Sequence, residues 1–178
     1  MTDKERFIHI FTTQINRPGA PGLLVWLEST DFFTAPASTK YHGARPGGLV
    51  DHSLNVFYEM SSQVHIAGAE SRTICALLHD VCKANYYEPM NGGGYRVNDQ
   101  FPFGHGEKSV LLISRFMTLT DVEALAIRWH MGAYDDAARG GSRTLSAALA
   151  VHPLVYELHA ADMRATQREQ REERRGLV

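Results

Sequence analysis

The sequence predicts a nearly all-α protein, an orthogonal helical bundle into which one small β-hairpin is inserted. Apolar residues recur at helical spacing through most of the 178-residue chain, and this period indicates amphipathic helices. A glycine-rich run between aromatic residues, within 85–103, is instead typical of a hairpin. Histidine and aspartate recur where predicted helices end, which favours a shared polar centre inside the bundle.

The composition is that of an ordinary globular domain. Hydrophobic residues make up 44% of the chain and charged residues 21%, so we expect a single domain with a full core over residues 1–178. The formal net charge is -2, and this balance gives no sign of an extended nucleic-acid surface.

The first residues and the cysteines bear on the compartment. The segment after Met1 is charged and no apolar run follows it, so we expect neither a signal peptide nor a membrane span. Cys75 and Cys82 would lie two helical turns apart, roughly 10 Å, which is too far for a disulfide. Buried thiols of this kind are typical of a reducing cytoplasm, so we expect a cytoplasmic protein.

The first 48 residues predict two helices and a loop. Helical spacing of apolar residues predicts a helix over 3–15, and a shorter apolar run predicts a second helix over 23–28; both belong to an N-terminal region, 3–30. The segment between them, Arg17 to Gly22, contains Pro and Gly and reads as a break. Residues 31–48 also contain Pro and Gly and predict an ordered loop, whose polar content is typical of loops beside a site.

The middle of the chain alternates helices with the hairpin. One helix is predicted over 49–67 and another from Glu70 into His79 and Asp80. The aromatic segment 85–103 turns at Asn91 to Gly94 and predicts the hairpin. A helix with His105 in its first turn follows.

The last third is predicted to be helical again. Thr120 and Glu123 form a capping box at the start of a helix that runs to His130. Residues 133–142 are a candidate mobile loop, and 144–151 a short helix. Pro153 is the first residue of the last helix, which places Asp162 on or near its buried side. The metal-binding core is expected over about 36–164, followed by a charged tail, 165–178, as a solvated or frayed helix end.

The adjacent pair His79 and Asp80 is the feature around which the chain is organised. It ends an apolar helix, and imidazole and carboxylate are hard to bury but are good metal ligands. Neighbours on a helix point about 100° apart, so these side chains can meet only at something between them, such as an ion. Lys83 shares a face with Asp80 and could hold an anionic group of a substrate.

Other histidines and aspartates fall where helices could aim them at the same centre. A single histidine on a half-apolar helix is usually a hydrogen-bonded core residue, and His42, His65, His152 and His159 keep that interpretation. The joint pattern instead favours two divalent ions bridged by an aspartate, with positions open to water and substrate. The candidate metal ligands are His52, His79, Asp80, His105, His130 and Asp162.

The order His52, His79-Asp80, Asp162 resembles the signature of the HD superfamily of metal-dependent phosphohydrolases. Gly47 to Ser53 is similar to that family's first-ligand helix start, and Leu77 to Lys83 to its central LLHDxxK segment. The resemblance covers roughly residues 36–164.

Two finer likenesses accompany this one. His105 and His130 resemble the extra histidines of the binuclear branch, which includes HD-GYP and cyclic-nucleotide phosphodiesterases. Met131 to Tyr134 stands where a GYP motif would begin, which argues against cyclic di-GMP as substrate. Residues 36–52 also resemble the HD domain of bacterial 3′–5′ exoribonucleases of the YhaM type.

The resemblance implies an HD-type bundle that hydrolyses a phosphoester or phosphodiester of a nucleotide or short oligonucleotide. It implies two divalent transition-metal ions (Mn, Fe, Ni, Co or Zn) and a metal-held hydroxide as nucleophile. One ion would be held by His52, His79, Asp80 and Asp162, and the second by Asp80, His105 and His130. The catalytic candidates are Asp80 and Lys83, and the candidate substrate contacts are Arg45, Arg128, Tyr134 and Arg143.

Other functions stay open. HD-fold di-iron oxygenases of the inositol oxygenase type use the same four histidines and two aspartates, and iron with oxygen consumption would distinguish them. A nucleotide-sensing HD module without turnover is a second alternative, although degenerate modules usually lose a ligand. A purely structural helical domain does not account for the clustered ligands. A homo-oligomer is possible on sequence grounds.

Overall fold

A computed structural model describes residues 1–63 and 66–176 and shows a mostly helical protein with one two-stranded antiparallel sheet. Within these residues no helix is both long and apolar enough to cross a membrane. Single turns of 3₁₀ helix lie at Val81–Lys83 and Gly132–Tyr134, and the strands are β1 (Tyr87–Pro89) and β2 (Tyr95–Val97). The helices are α1 (Asp3–Gln14), α2 (Ala20–Ser29), α3 (Gly48–Ser61), α4 (Ala69–Leu78), α5 (His105–Ser114), α6 (Asp121–Arg128), α7 (Asp136–Arg139), α8 (Thr144–Val151) and α9 (Pro153–Arg174).

The core lies where α3 packs against α4 and α9, and where α6 packs against α5 and α9. Apolar side chains from all five helices are fully buried there, which is the burial that stabilises an amphipathic helix in a bundle. The mostly helical fold is therefore confirmed, whereas the orthogonal arrangement of the HD type stays a prediction. The buried side chains of this core include Leu49, Leu54, Ile74, Leu77, Leu78, Ile113, Ile127, Leu154 and Leu158.

Two helix starts follow the expected local chemistry. The predicted capping box is present at α6, where the Thr120 hydroxyl accepts from the Glu123 N–H and the Glu123 carboxylate accepts from the Thr120 N–H. Pro153 occupies the first turn of α9, as predicted. α2 begins at Ala20, three residues before the predicted start, because Pro21 suits a first helical turn and does not break it.

The predicted hairpin is present. Tyr87 pairs with Val97 and Pro89 with Tyr95. Gly93 and Gly94 form the turn with φ of 90° and 78°, in the left-handed region that glycine adopts without a steric penalty.

Two segments in the middle of the chain differ from the prediction. α3 ends at Ser61 and not at residue 67, while Val64 and His65, inside the predicted range, lie outside the described residues. The predicted loop 133–142 contains α7, whose start is capped by Asp135: one carboxylate oxygen accepts from the Ala137 N–H at 2.9 Å. Hydrophobic periodicity could not predict this short helix, because its sequence is polar and a side-chain cap, not an apolar face, stabilises it.

The segment 165–178 was predicted as a solvated or frayed end, and the structure differs. α9 continues to Arg174, and Ala165 and Glu169 are buried in line with Leu158 and Asp162. These positions recur every three or four residues, so the stripe that faces the bundle continues through the charged run. Leu177 and Val178 lie outside the described residues.

Candidate metal centre

The six candidate metal ligands come from five helices or their ends and face one another inside the bundle. His52 lies in α3, His79 caps the C-terminus of α4, and Asp80 follows it. His105 is the first residue of α5, and His130 lies two residues beyond α6. The set is completed by Asp162 of α9, and all six except the half-buried His105 are buried.

The carboxylate of Asp80 lies between two groups of imidazoles. Its Oδ1 is 2.8 Å from Nε2 of His105 and 3.4 Å from Nε2 of His130. Its Oδ2 is 3.5 Å from Nε2 of His79 and 3.9 Å from Nε2 of His52. One carboxylate oxygen therefore faces each group, which is the arrangement that a bridging ligand requires.

Asp162 completes the group around Oδ2. Its Oδ1 lies 3.1 Å from Nε2 of His52, and that nitrogen lies 3.3 Å from Nε2 of His79. One ligand atom from each of His52, His79 and Asp162 lies within 4.8 Å of the others. A single ion could contact all three at ordinary bond lengths of about 2.0–2.2 Å.

The histidines turn the same ring nitrogen to the centre because the other nitrogen is tied elsewhere. Nδ1 of His79 donates to the Ala76 carbonyl at 2.9 Å, and Nδ1 of His130 to the Ile127 carbonyl at 2.7 Å. Both acceptors are carbonyls of the helix turn that has just ended, so helix termination itself sets the two rings. A histidine that donates from Nδ1 keeps the lone pair of Nε2 for a metal.

Nδ1 of His52 is tied by a side chain. The carboxylate oxygens of Glu169 lie 3.1 and 3.0 Å from it. Neutral His52 and His79 would then point two Nε2 lone pairs at each other across 3.3 Å. This contact is repulsive unless a proton or an ion lies between the rings.

The residues present fit divalent ions. Nε2 of His130 is buried and makes no hydrogen bond within the described part of the chain, with Asp80 Oδ1 3.4 Å away as a neighbour. An orphaned buried nitrogen costs about 1–3 kcal/mol, and ligation would remove that cost. Imidazole nitrogen with carboxylate oxygen is the donor set of Mn, Fe, Co, Ni and Zn sites.

The charges in the cluster also favour a bound cation. Burial raises the pKa of Asp80, but the ammonium of Lys83 and the surrounding imidazoles outweigh burial and hold that pKa well below its usual range. Burial lowers the pKa of His52, yet the charges of Glu169 and Asp162 prevail and raise it to about 10. The carboxylates thus stay ionised and stabilise positive charge at His52.

A glycine allows His105 and His130, the two histidines beside Asp80 Oδ1, to lie close together. A Cβ on Gly106 would lie 2.1 Å from the carbonyl oxygen of Arg128, so α5 touches the end of α6 backbone to backbone. His105 precedes this contact on one helix and His130 follows it on the other. Their closeness therefore depends on the absence of a side chain at residue 106.

Cys82 is a neighbour of the centre that was not among the predicted ligands. Its Sγ lies 3.3 Å from Nδ1 of His105. Burial, with the charge of Asp80, raises the pKa of this thiol to about 12. One ligand atom from each of Asp80, Cys82 and His105 lies within 4.8 Å of the others. Because the thiolate is the metal-binding form, Cys82 would join a metal site only if the ion displaced its proton.

A cavity of about 550 Å³ opens over the cluster. Lys83 lines it, with Nζ 2.7 Å from Asp80 Oδ2. Tyr134 lines it as well, together with Tyr41 and Tyr87. The cavity therefore joins ligand side chains, a cation and aromatic rings.

Three predicted substrate contacts do not line this cavity, although Arg128 lines a neighbouring one together with His105 and Tyr134. Arg128 pairs with Glu107 and with Asp135, 2.8 Å away. Arg45 pairs with Asp51 at 2.5 Å, and Arg143 is exposed at the start of α8. Within the described residues, the lining of the large cavity includes none of these arginines.

Sequence reasoning missed Glu169, His42 and Arg139. Arg139 lines the large cavity from α7, a helix that the sequence did not predict. His42 lies with its ring centroid 4.7 Å from that of His52, and burial lowers its pKa to about 4. The polar loop 31–48 was a usable signal for His42, whereas no local signal marked Glu169 within its charged run.

Comparisons with protein-family models, with curated proteins and with solved structures find no match to this chain. Its chemistry therefore has to be inferred from the geometry of the cluster and the cavity.

Proposed function

We propose that this protein is a metal-dependent phosphohydrolase of the HD type that cleaves a phosphoester or phosphodiester of a nucleotide or short oligonucleotide. One observation carries the proposal. Four imidazole Nε2 atoms surround the ionised carboxylate of Asp80, and that of Asp162 lies beside His52. The group lies at the base of a cavity that also presents a lysine. This combination suits an anionic substrate next to divalent ions.

Two ions are proposed, shared as the HD pattern implies. His52, His79, Asp80 and Asp162 would hold one, and Asp80, His105 and His130 the other. When bound, such ions supply a Lewis acid for phosphoryl oxygens and bring the pKa of water near neutrality.

The chain's own residues have separate tasks in this proposal. Asp80 offers one carboxylate oxygen to each group of ligands. Lys83 keeps its charge, because Asp80 outweighs burial and raises the pKa of its ammonium. Its Nζ is thus a fixed cation beside the position where negative charge develops on the phosphoryl group.

The cavity supports a nucleotide-sized substrate. Its volume of about 550 Å³ lies in the ordinary range for small-molecule sites. Tyr41, Tyr87 and Tyr134 offer ring faces on which a base could stack. Arg139 adds a second cation to the lining.

A neighbouring cavity favours a substrate longer than one nucleotide. It has a volume of about 410 Å³ and shares Tyr41 and Gln170 with the first. Its other lining residues are two cations, Lys40 and Arg174, and one carboxylate, Glu173. A second phosphate could lie there, as in a dinucleotide or a short oligonucleotide.

The test combines metal content with turnover. Elemental analysis should find about two transition ions in the purified protein and about one in His105→Ala, as expected if each ligand group holds its own ion. The metal-loaded protein should hydrolyse at least one member of a panel of nucleotides, cyclic nucleotides and short oligonucleotides.

Other outcomes would overturn the proposal. Nucleotide binding without turnover, under each of the five candidate metals, indicates a sensing module. Oxygen consumption by the iron form indicates an oxygenase. Absence of any bound ion after reconstitution excludes the metal centre.

A further inference from the structure

Glu169 is a buried carboxylate inside the most charged stretch of the sequence. It is 5% exposed and lies on α9 two helical turns after Asp162. Its oxygens lie 3.1 and 3.0 Å from Nδ1 of His52, which is 117 residues away in the chain. Two carboxylates of α9, those of Asp162 and Glu169, therefore meet the same imidazole, one at each ring nitrogen.

The carboxylate is itself held in place. The amide Nδ2 of Asn55 donates to Oε1 of Glu169 at 2.8 Å. The amide oxygen of Asn55 in turn accepts from Arg168 at 2.9 Å. A chain of hydrogen bonds thus fixes Glu169 against α3, and the position of the His52 ring follows from it.

His52 differs in this respect from the other buried histidines of the centre. His79 and His130 donate Nδ1–H to backbone carbonyls three residues earlier. His52 lies within α3, where the helix uses its own carbonyls, so another element has to supply the acceptor. That acceptor is a full negative charge from α9.

We propose that Glu169 is a positioning residue: it accepts Nδ1–H of His52 and so presents Nε2 of that ring to the metal centre. The inference rests on the proposed metal-dependent function. A carboxylate behind a ligating histidine fixes the ring and its tautomer and makes the other nitrogen a stronger ligand. The charged end of α9 then belongs to the metal centre.

The first test is metal affinity. Zn²⁺ affinity is measured by chelator competition in the full chain, in Glu169→Gln and in Glu172→Gln. Glu172→Gln removes the same charge one turn further along α9. Glu169→Gln should weaken Zn²⁺ binding about 10- to 100-fold, the usual cost of losing such a partner, whereas Glu172→Gln should stay within about twofold.

A spectroscopic test separates positioning from mere packing, and its main reading is made on the wild-type protein. In ¹⁵N-histidine-labelled, Zn²⁺-loaded protein, His52 should show an exchange-protected, downfield Nδ1–H proton. That resonance should be absent from His52→Asn and should move upfield in Glu169→Gln. A His52 that carries its proton on Nε2 overturns the inference.

The affinity outcomes also distinguish the two proposals. Equal Zn²⁺ affinity in wild type and Glu169→Gln overturns the role of Glu169 and leaves the metal-dependent function standing. A wild-type protein that takes up no ion overturns the proposed function and, with it, the role of Glu169.

Discussion

Gly106 meets the backbone of Arg128 so closely that a Cβ on residue 106 would lie 2.1 Å from the Arg128 carbonyl oxygen. No real structure tolerates that distance, so a side chain there forces α5 away from the end of α6. His105 is the first residue of α5 and His130 lies two residues beyond α6, and the Nε2 atoms of both face one oxygen of Asp80.

Gly106→Ala should therefore remove one ion and leave the other. We expect metal content to fall from about two ions toward one, as in His105→Ala, since only the ligands around Asp80 Oδ1 are displaced. Far-ultraviolet circular dichroism should stay near that of wild type. Gly22→Ala is the control, because a Cβ there would meet a Phe116 ring atom at an ordinary 3.7 Å. Two ions in Gly106→Ala would contradict the prediction.

Asp80→Asn should abolish retention of both ions and hydrolysis together. The amide keeps the size of the side chain but loses the charge that faces both ligand groups. Elemental analysis and a phosphatase assay measure the two effects, and circular dichroism should show helix content near native. Full activity in this variant would disprove the bridging role.

Metal binding should strengthen as the pH rises. The pKa of His52 is raised to about 10 in the absence of an ion, so at neutral pH its Nε2 is protonated and an ion has to displace that proton. Competition titrations between pH 6 and 8 should show affinity rising about tenfold per pH unit for each proton released. A flat profile would mean that His52 does not ligate.

Stability of the chelator-treated protein should show the opposite slope at alkaline pH. A raised folded-state pKa stabilises the fold fully below about pH 6.5, the unfolded value, and the stabilisation is lost as the pH rises toward 10. Urea unfolding should therefore give a lower free energy of unfolding at pH 9 than at pH 6.5, by roughly 1 kcal/mol per pH unit. His52→Gln should flatten this slope.

The lowered pKa values of Asp80 and Asp162 determine how the free energy of unfolding of the chelator-treated protein falls at acid pH. Their contribution is present above about pH 4, the unfolded value, and is lost as the pH falls further. Burial also lowers the pKa values of His42 and His105, which costs stability as the pH falls below about 6.5, so chelator-treated protein should be most stable near pH 6.5. A maximum above pH 8 would contradict the charge arrangement.

Arg17→Ala should destabilise the fold without touching the metal centre. The guanidinium of Arg17 pairs with Glu123, which is fully buried at the start of α6, with one N–O distance of 3.0 Å. The pair is partly buried, and leaving the buried Glu123 carboxylate without this partner costs about 1–3 kcal/mol. Urea unfolding should show that loss, while Zn²⁺ stoichiometry stays at the wild-type value. A change below about 0.5 kcal/mol would place the pair among weak surface pairs.

The parts of the centre that were predictable share a physical reason. His79 and Asp80 end an apolar helix, and polar residues so placed stand out because burial without a partner is costly. His105 likewise lies in the first turn of a helix and His130 just after the end of one, and these helix ends determine where the two side chains point. Local pattern therefore sufficed to name the candidate ligands, although it gave no distances between them.

Glu169 and Arg139 could not be predicted as residues of the site, because no local sequence pattern marks them. Glu169 lies among eight consecutive polar residues, 168–175, and such a run is usually a solvated face. Only the packing of α9 on α3 shows that one of these side chains points inward. Arg139 depends on α7, a short helix held by the Asp135 cap, so its place in the cavity follows from tertiary structure.

The position of α9 at the end of the described chain has a consequence for how the centre is assembled during synthesis. The ribosome releases His52, His79, His105 and His130 before it releases the helix that carries Asp162 and Glu169. In the nascent chain His52 therefore lacks both of its carboxylate partners, whereas Asp80 already accompanies His105 and His130. Of the two proposed ligand groups, only the one that contains His52, His79 and Asp162 has to wait for the last helix to dock.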